Sequence, residues 1–225
     1  MSSMTNAPVT PMASLGIKRV AAFFLSICLC VLAYAFDGEQ RFADIAEGDL
    51  LFILPAAPND ITITTGTADL AADHVAICHR IGGQRGPLYL IEAIPSAGVT
   101  LTPVDSLLSR EPDVTLLVGS VAGLNTAASV EHALRFIGRP YDHLFLPSDS
   151  AIYCSELVQR TFVDTGGAAV FPTIPMSFHD ATGRVTDNWR QHYARHGLDV
   201  PEGQPGTNPT QLATHPAVTL RPLRP

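Results

Sequence analysis

Three residues of this sequence could together carry out acyl-transfer chemistry: Cys154, His74 and Glu92. Cys154 opens the stretch "CSELVQRTF", in which Leu157, Val158 and Phe162 mark an apolar face at helical spacing. The pattern predicts a helix that begins at or just before the cysteine. A thiol attacks as its thiolate. Free cysteine ionises at about 8.5, and both a helix N-terminus and a neighbouring imidazolium lower that value. The first-turn N–H groups of such a helix could afterwards hold the oxyanion of a tetrahedral intermediate. The base must be an imidazole within hydrogen-bond reach of the sulfur. Of the eight histidines, His74 stands apart because it opens the apolar run "HVAICHRI", where a strand would hold its ring rigidly. Its second nitrogen then needs an acceptor. Glu92 is the only charged residue of the following run "LYLIEAI", and an ionised carboxylate in a buried strand is costly unless paired.

Each of the three has an ordinary alternative. Cys154 would serve as a small buried hydrophobe, His74 as a strand-end histidine with any single partner, and Glu92 as a side chain on the solvent face of a half-exposed strand. Cys78 follows His74 by four residues, a strand distance of about 13 Å, too long for a dyad or a shared metal, so it is expected in the core. A disulfide between Cys78 and Cys154 remains a structural alternative in an oxidising compartment. No C-x-x-C or H-E-x-x-H spacing occurs, and no metal or organic cofactor is expected.

The elements that would position these residues form a sheet with flanking helices. "GDLLFIL" (48–54), "HVAICHRI" (74–81), "LYLIEAI" (88–94), "GVTLTPV" (98–104) and "VTLLVGSV" (114–121) read as strands, the second and third joined as a hairpin across "GGQRGP". A short extended piece is expected at 61–64. Helices are expected over "NTAASVEHALRFIG" with Asn125 or Thr126 as cap, over "CSELVQRTFVDTGG", and over "TDNWRQHYARHG" with Thr186 as cap. The expected class is therefore α+β: one domain with a mostly antiparallel sheet packed against helices. From Val200 the chain is proline-rich and aperiodic, so 200–225 is expected as a loosely held tail.

Composition agrees with a globular, exported protein. The chain has 225 residues, 46% hydrophobic and 16% charged, with a formal net charge of −7. Lys18 is the only lysine and no basic cluster follows Arg19, which argues against a nucleic-acid partner. Lys18 and Arg19 precede the uncharged run "VAAFFLSICLCVLAYAF", and "AYA" at 33–35 supplies a small-residue cleavage site. Residues 1–35 are expected as a secretory signal and 36–199 as the catalytic domain. An uncleaved anchor is the alternative, although the run is short for a membrane span. A lipoprotein signal ending at Cys28 is disfavoured by Ile27. Export points to the periplasm or cell envelope, with peripheral or N-terminal membrane association as a possibility.

These residues resemble a known family. "GDLLF" (48–52), "DHVAI" (73–77), "LIEA" (90–93), "IGRPYDHLF" (137–145) and "YCSELVQRTF" (153–162) together look like the circularly permuted papain-like amidases of YiiX type. That family belongs to the wider superfamily of NlpC-type cell-wall peptidases and lecithin–retinol acyltransferase relatives. The order of histidine strand, glutamate strand and cysteine helix is the permuted one. The resemblance covers residues 45–180 and implies a papain-like fold with Cys154 as nucleophile, His74 as base and Glu92 as orienting acid. It also implies Tyr141 and Tyr153 as substrate-binding pocket residues, either of which could assist the oxyanion or simply pack as a buried ring. Asp49 is expected as a turn or cap acceptor, and Asp142 has no assigned role. The implied activity is a cysteine hydrolase acting on an amide or ester, with small molecules, peptides or lipid amides as substrates. An acyltransferase using the same thiol and a non-catalytic cleft-binding module are the alternatives.

Overall fold

The computed structural model describes residues 42–56, 70–111, 113–147, 150–180 and 182–223. The expected signal segment and the extended piece at 61–64 lie outside the described residues. Residues 43–225 make up one compact unit.

In chain order the elements are β1 (Leu50–Leu54), β2 (His74–Arg80), β3 (Leu88–Ile94), β4 (Gly98–Pro103), α1 (Val104–Arg110), β5 (Thr115–Val121), α2 (Thr126–Leu134), α3 (Cys154–Thr161), β6 (Ile174–Pro175), α4 (Asp187–Ala194), β7 (Pro205–Gly206), α5 (Pro209–Ala213) and β8 (Val218–Pro222). Six strands form an antiparallel sheet in the order β4-β3-β2-β1-β5-β8. β1 is hydrogen-bonded on both sides, and its Leu50, Leu51 and Phe52 are fully buried. That burial on both faces is why "GDLLFIL" is continuously apolar rather than alternating. β2 and β3 pair in the expected hairpin, with Ile77 opposite Ile91.

The main core gathers Leu50, Phe52, Val75, Ile77, Ile91 and Ala93 of the sheet around Leu157 and Val158 of α3, with Phe162 and Phe171 beyond the helix. Burying a side chain of this size contributes about 1.5–3 kcal/mol, so the α3 apolar stripe holds the helix that begins at Cys154 on the sheet. A second cluster of Met176, Phe178, Trp189 and Tyr193 is covered by Leu144 and Phe145. The expected caps are present: Asn125 accepts the N–H of Ala128 and Thr186 accepts that of Trp189. α2 ends at Leu134, short of the expected Gly138, and leaves Ile137 exposed. α3 ends at Thr161, since Phe162 leaves helical geometry and 163 bridges to 169.

Two features depart from the sequence reading. The stretch after β4, unassigned in the sequence, is the helix α1, whose Val104 and Leu107 are buried. The segment from Val200 is not loose. β8 pairs with β5 from Val218 to Pro222, α5 buries Leu212 and Ala213, and Thr207, Asn208 and Thr210 are buried. An edge strand gains its order from backbone pairing and needs no apolar alternation of its own, which is why composition hid it.

Candidate active site

Cys154 is the first residue of α3. Its N-cap, Tyr153, is extended (φ −106°, ψ 172°), and the Glu156 side chain reaches back to accept the Tyr153 N–H at 3.4 Å. The sulfur thus sits where first-turn N–H groups have no helical partner and the positive end of the helix dipole lies. Cys154 is 6% exposed. Among the described residues Cys154 and Cys78 are both free thiols, so the disulfide alternative is absent there. Cys78 is completely buried in β2, and burial pushes its thiol well above the ordinary range.

His74, the first residue of β2, is brought to this sulfur and hydrogen-bonds with Cys154. Its Nε2 meets Glu92 Oε2 at 2.8 Å, which leaves Nδ1 for the thiol. Glu92, from the middle of β3, is 0% exposed. A carboxylate taken fully out of water must be compensated, and here three groups do so. His74 is one, the Thr102 side chain on β4 is the second, and Arg110 is the third, placing Nη2 3.1 Å and 3.2 Å from the two carboxylate oxygens. Burial alone would raise the Glu92 pKa. The His74 hydrogen bond and charge, with help from Thr102 and Arg110, reverse this and hold the carboxyl below its ordinary range. For His74 burial favours the neutral ring, but the bonds to Cys154 and Glu92 outweigh it and raise its pKa to about 10. The favoured state of His74 is therefore the imidazolium, held between the Glu92 carboxylate and the Cys154 sulfur.

The two tyrosines differ. Tyr141 forms a bridge with Ile152, two residues before Cys154, and its ring packs edge-on against His143 and Phe145. Among the described residues its hydroxyl has no hydrogen-bond partner. Burial, then the nearby charge on Cys154, raises its pKa, so the group stays a neutral donor beside the sulfur. Its loop is anchored on both sides. Asp142 accepts the N–H groups of Leu144 and Leu146, and Tyr193 donates to the Leu144 carbonyl. Upstream, Val99 N–H bonds the Arg139 carbonyl at 2.8 Å, an approach that requires Gly98, because a Cβ there would lie 2.1 Å from that oxygen. Asp142, without a role in the sequence reading, is thus the turn acceptor that holds Tyr141. Tyr153 is 4% exposed, and its hydroxyl accepts the N–H of Thr207 at 3.0 Å, so that oxygen is engaged by the protein. Asp49 accepts the N–H of Ala46, a turn contact far from this chemistry.

Arg110 and the 207–210 segment were not singled out from the sequence. For Arg110 the available signal was apolar spacing at Val104, Leu107 and Leu108 ahead of a lone arginine. A cavity of about 420 Å³ opens on the other side of α3, lined by Tyr153, Glu156, Arg160, Gly206 and Thr207, and none of Cys154, His74 or Glu92 borders it. Glu156 there is raised to about 7 by burial, against the opposing charge of Arg160.

No curated protein matches the chain. The solved structure of the metalloprotein YiiX from Escherichia coli O157:H7 shares the fold, with a TM-score of 0.63 and 21% identity, covering 79% of this chain and 97% of that one. Among the described residues no group of three or more His, Cys, Asp or Glu is arranged to hold a metal ion. The model of the permuted papain-like amidase family, YaeF/YiiX, C92, matches residues 44–220. With the histidine strand ahead of the cysteine helix on an antiparallel papain-like sheet, the chain belongs to that family of amidases.

Proposed function

We propose that this chain is an exported cysteine hydrolase that cleaves an amide or ester bond through Cys154, His74 and Glu92. The observation that carries this reading is the hydrogen-bonded run from the Cys154 thiol through the His74 ring to the buried Glu92 carboxylate. The Cys154 thiolate adds to the substrate carbonyl carbon, and the C=O π pair moves onto oxygen. The free N–H groups at the head of α3 and the Tyr141 hydroxyl donate to that oxyanion. As it collapses, the bond to the leaving amine or alcohol breaks and imidazolium His74 supplies the leaving group's proton. A thioester on Cys154 remains. Neutral His74 then takes a proton from water, the hydroxide attacks the thioester, and the acid product leaves with the thiolate–imidazolium pair restored. Glu92 keeps the ring oriented and stabilises its cation throughout. An acyl acceptor other than water would make the same site an acyltransferase.

The address supports the substrate class. The apolar run after Lys18 and Arg19, ending in "AYA", is a secretion signal by composition, and an exported enzyme meets cell-wall peptides and envelope lipid amides. The test is to incubate the full chain with a cell-envelope extract, quench in acid and weigh the peptide containing Cys154. A mass increment equal to an acyl group, absent in Cys154→Ala, is the expected result. An unmodified Cys154 peptide from a preparation that nevertheless turns substrate over would refute the covalent route.

A further inference from the structure

The five residues Gly206–Thr210 run between the two elements that bring the sulfur and the imidazole together, and they are bonded to both. Thr207 donates its backbone N–H to the Tyr153 hydroxyl at 3.0 Å and its own hydroxyl to Ser155 Oγ at 3.1 Å. Tyr153 and Ser155 are the residues on either side of Cys154. Three residues later, Thr210 Oγ1 accepts the N–H of Ala72 at 3.1 Å and lies 3.3 Å from the Ala72 carbonyl, to which it donates. Ala72 is two residues before His74. Thr207, Asn208 and Thr210 are each no more than 1% exposed, as is Ser155. Buried hydroxyls of this kind are costly to leave unpaired, by about 1–3 kcal/mol each, so they resist slippage in register.

The segment is itself rigidly held. Asn208 caps α5 by accepting the N–H of Gln211 at 2.8 Å, and Pro209 supplies the first helical residue. Leu212 and Ala213 enter the same core cluster as Cys154. At Gly206 a side chain would lie 2.9 Å from the Tyr153 hydroxyl oxygen and 2.6 Å from Met176, so the backbone must pass close to the N-cap of α3. Here two threonines place their bonds on the immediate neighbours of Cys154 and on Ala72, two residues before His74.

We propose that Gly206–Thr210 is a positioning clasp, which sets the spacing between the Cys154 sulfur and the His74 ring by tying Tyr153 and Ser155 on one side to Ala72 on the other. Thr207 and Thr210 are positioning residues, since neither reaches the reacting atoms. The inference rests on the reading of Cys154 and His74 as a dyad, and the test separates the two ideas. Iodoacetamide labelling of the Cys154 peptide, followed by mass spectrometry from pH 5 to pH 9, reads how readily the thiolate forms beside the imidazolium. Thr210→Val keeps the side-chain shape and removes both bonds to Ala72, while Thr210→Ser keeps the hydroxyl. The expected result is a labelling rate at pH 6 lowered about tenfold in Thr210→Val, with its pH profile displaced upward, and restored to within about twofold in Thr210→Ser. If Thr210→Val does not fold, Thr207→Val, which deletes the hydroxyl contact to Ser155, should show the same displacement with rescue by Thr207→Ser. Folded valine variants with the wild-type profile would overturn the clasp. His74→Ala is the reference: if it also labels with the wild-type profile, the dyad reading falls with the clasp, and if it alone loses rate, only the clasp falls.

Discussion

Replacing Glu92 by glutamine deletes one charge and little else, and its effect on His74 follows from the geometry. The carboxylate is 0% exposed and lies 2.8 Å from His74 Nε2. Opposite unit charges about 4 Å apart at an effective dielectric of about 20 interact by about 4 kcal/mol. At about 1.36 kcal/mol per pKa unit, that is about 3 units. His74 stands at about 10 in the wild type, so Glu92→Gln should bring it toward about 7. Arg110 would then face the ring without an intervening anion, but it is 36% exposed and solvent screens its push. The sign of the linked stability follows. A histidine whose folded pKa is raised stabilises the fold fully below its ordinary value of 6.5, and that contribution is lost as pH rises through about 10. In Glu92→Gln the share due to Cys154 should remain and the share due to Glu92 should be gone, and the difference in melting temperature between the variants should narrow above pH 10. The assay is an NMR titration of ring-labelled histidine, with the His74 signal assigned by its loss in His74→Ala. A His74 midpoint in Glu92→Gln within half a unit of the wild type would refute the charge argument.

Arg110→Gln should move His74 the opposite way, upward by up to about one unit after allowance for exposure, because Glu92 then has one cation in place of two. The same titration checks it, and a downward shift would contradict it. Tyr141→Phe should lower kcat about tenfold if the hydroxyl donates to the oxyanion. It should change stability by less than about 1 kcal/mol, since that hydroxyl has no partner among the described residues, and parallel kinetics and thermal melts measure both. Cys78→Ser should destabilise by about 1–3 kcal/mol by burying a hydroxyl in an apolar strand, yet leave kcat within about twofold. A folded variant without turnover would place Cys78 in the chemistry.

The parts of the site legible in the sequence were those written as local pattern. His74 lies on an apolar strand that stops before Gly82 and Gly83, Glu92 on one that stops before Pro95, and Cys154 at the head of a helix with a clear apolar stripe. Glu92, the only charged residue of its apolar run, pointed to its own pairing, because burial of an unpaired charge is so costly. Arg110 escaped because α1 has only seven residues and follows a proline, and its link to Glu92 is a long-range contact with no local signature. The C-terminal segment escaped for a related reason. Its prolines suggested a tail, while its order comes from the backbone pairing of β8 with β5 and from threonine hydroxyls bonded to residues remote in sequence. Tyr141 and Tyr153 looked equivalent as expected pocket residues around Cys154. Only the position of Thr207 distinguishes the engaged hydroxyl from the free one.

The most direct trial of the central idea compares the rate at which iodoacetamide labels Cys154 at pH 6 in the wild type and in His74→Ala. A thiolate held against imidazolium should label far faster than the same thiol in urea, and loss of the ring should slow it by about a hundredfold, the scale of a thiol that has lost its ion-pair partner. Equal rates in the two folded proteins would mean that His74 does not serve Cys154.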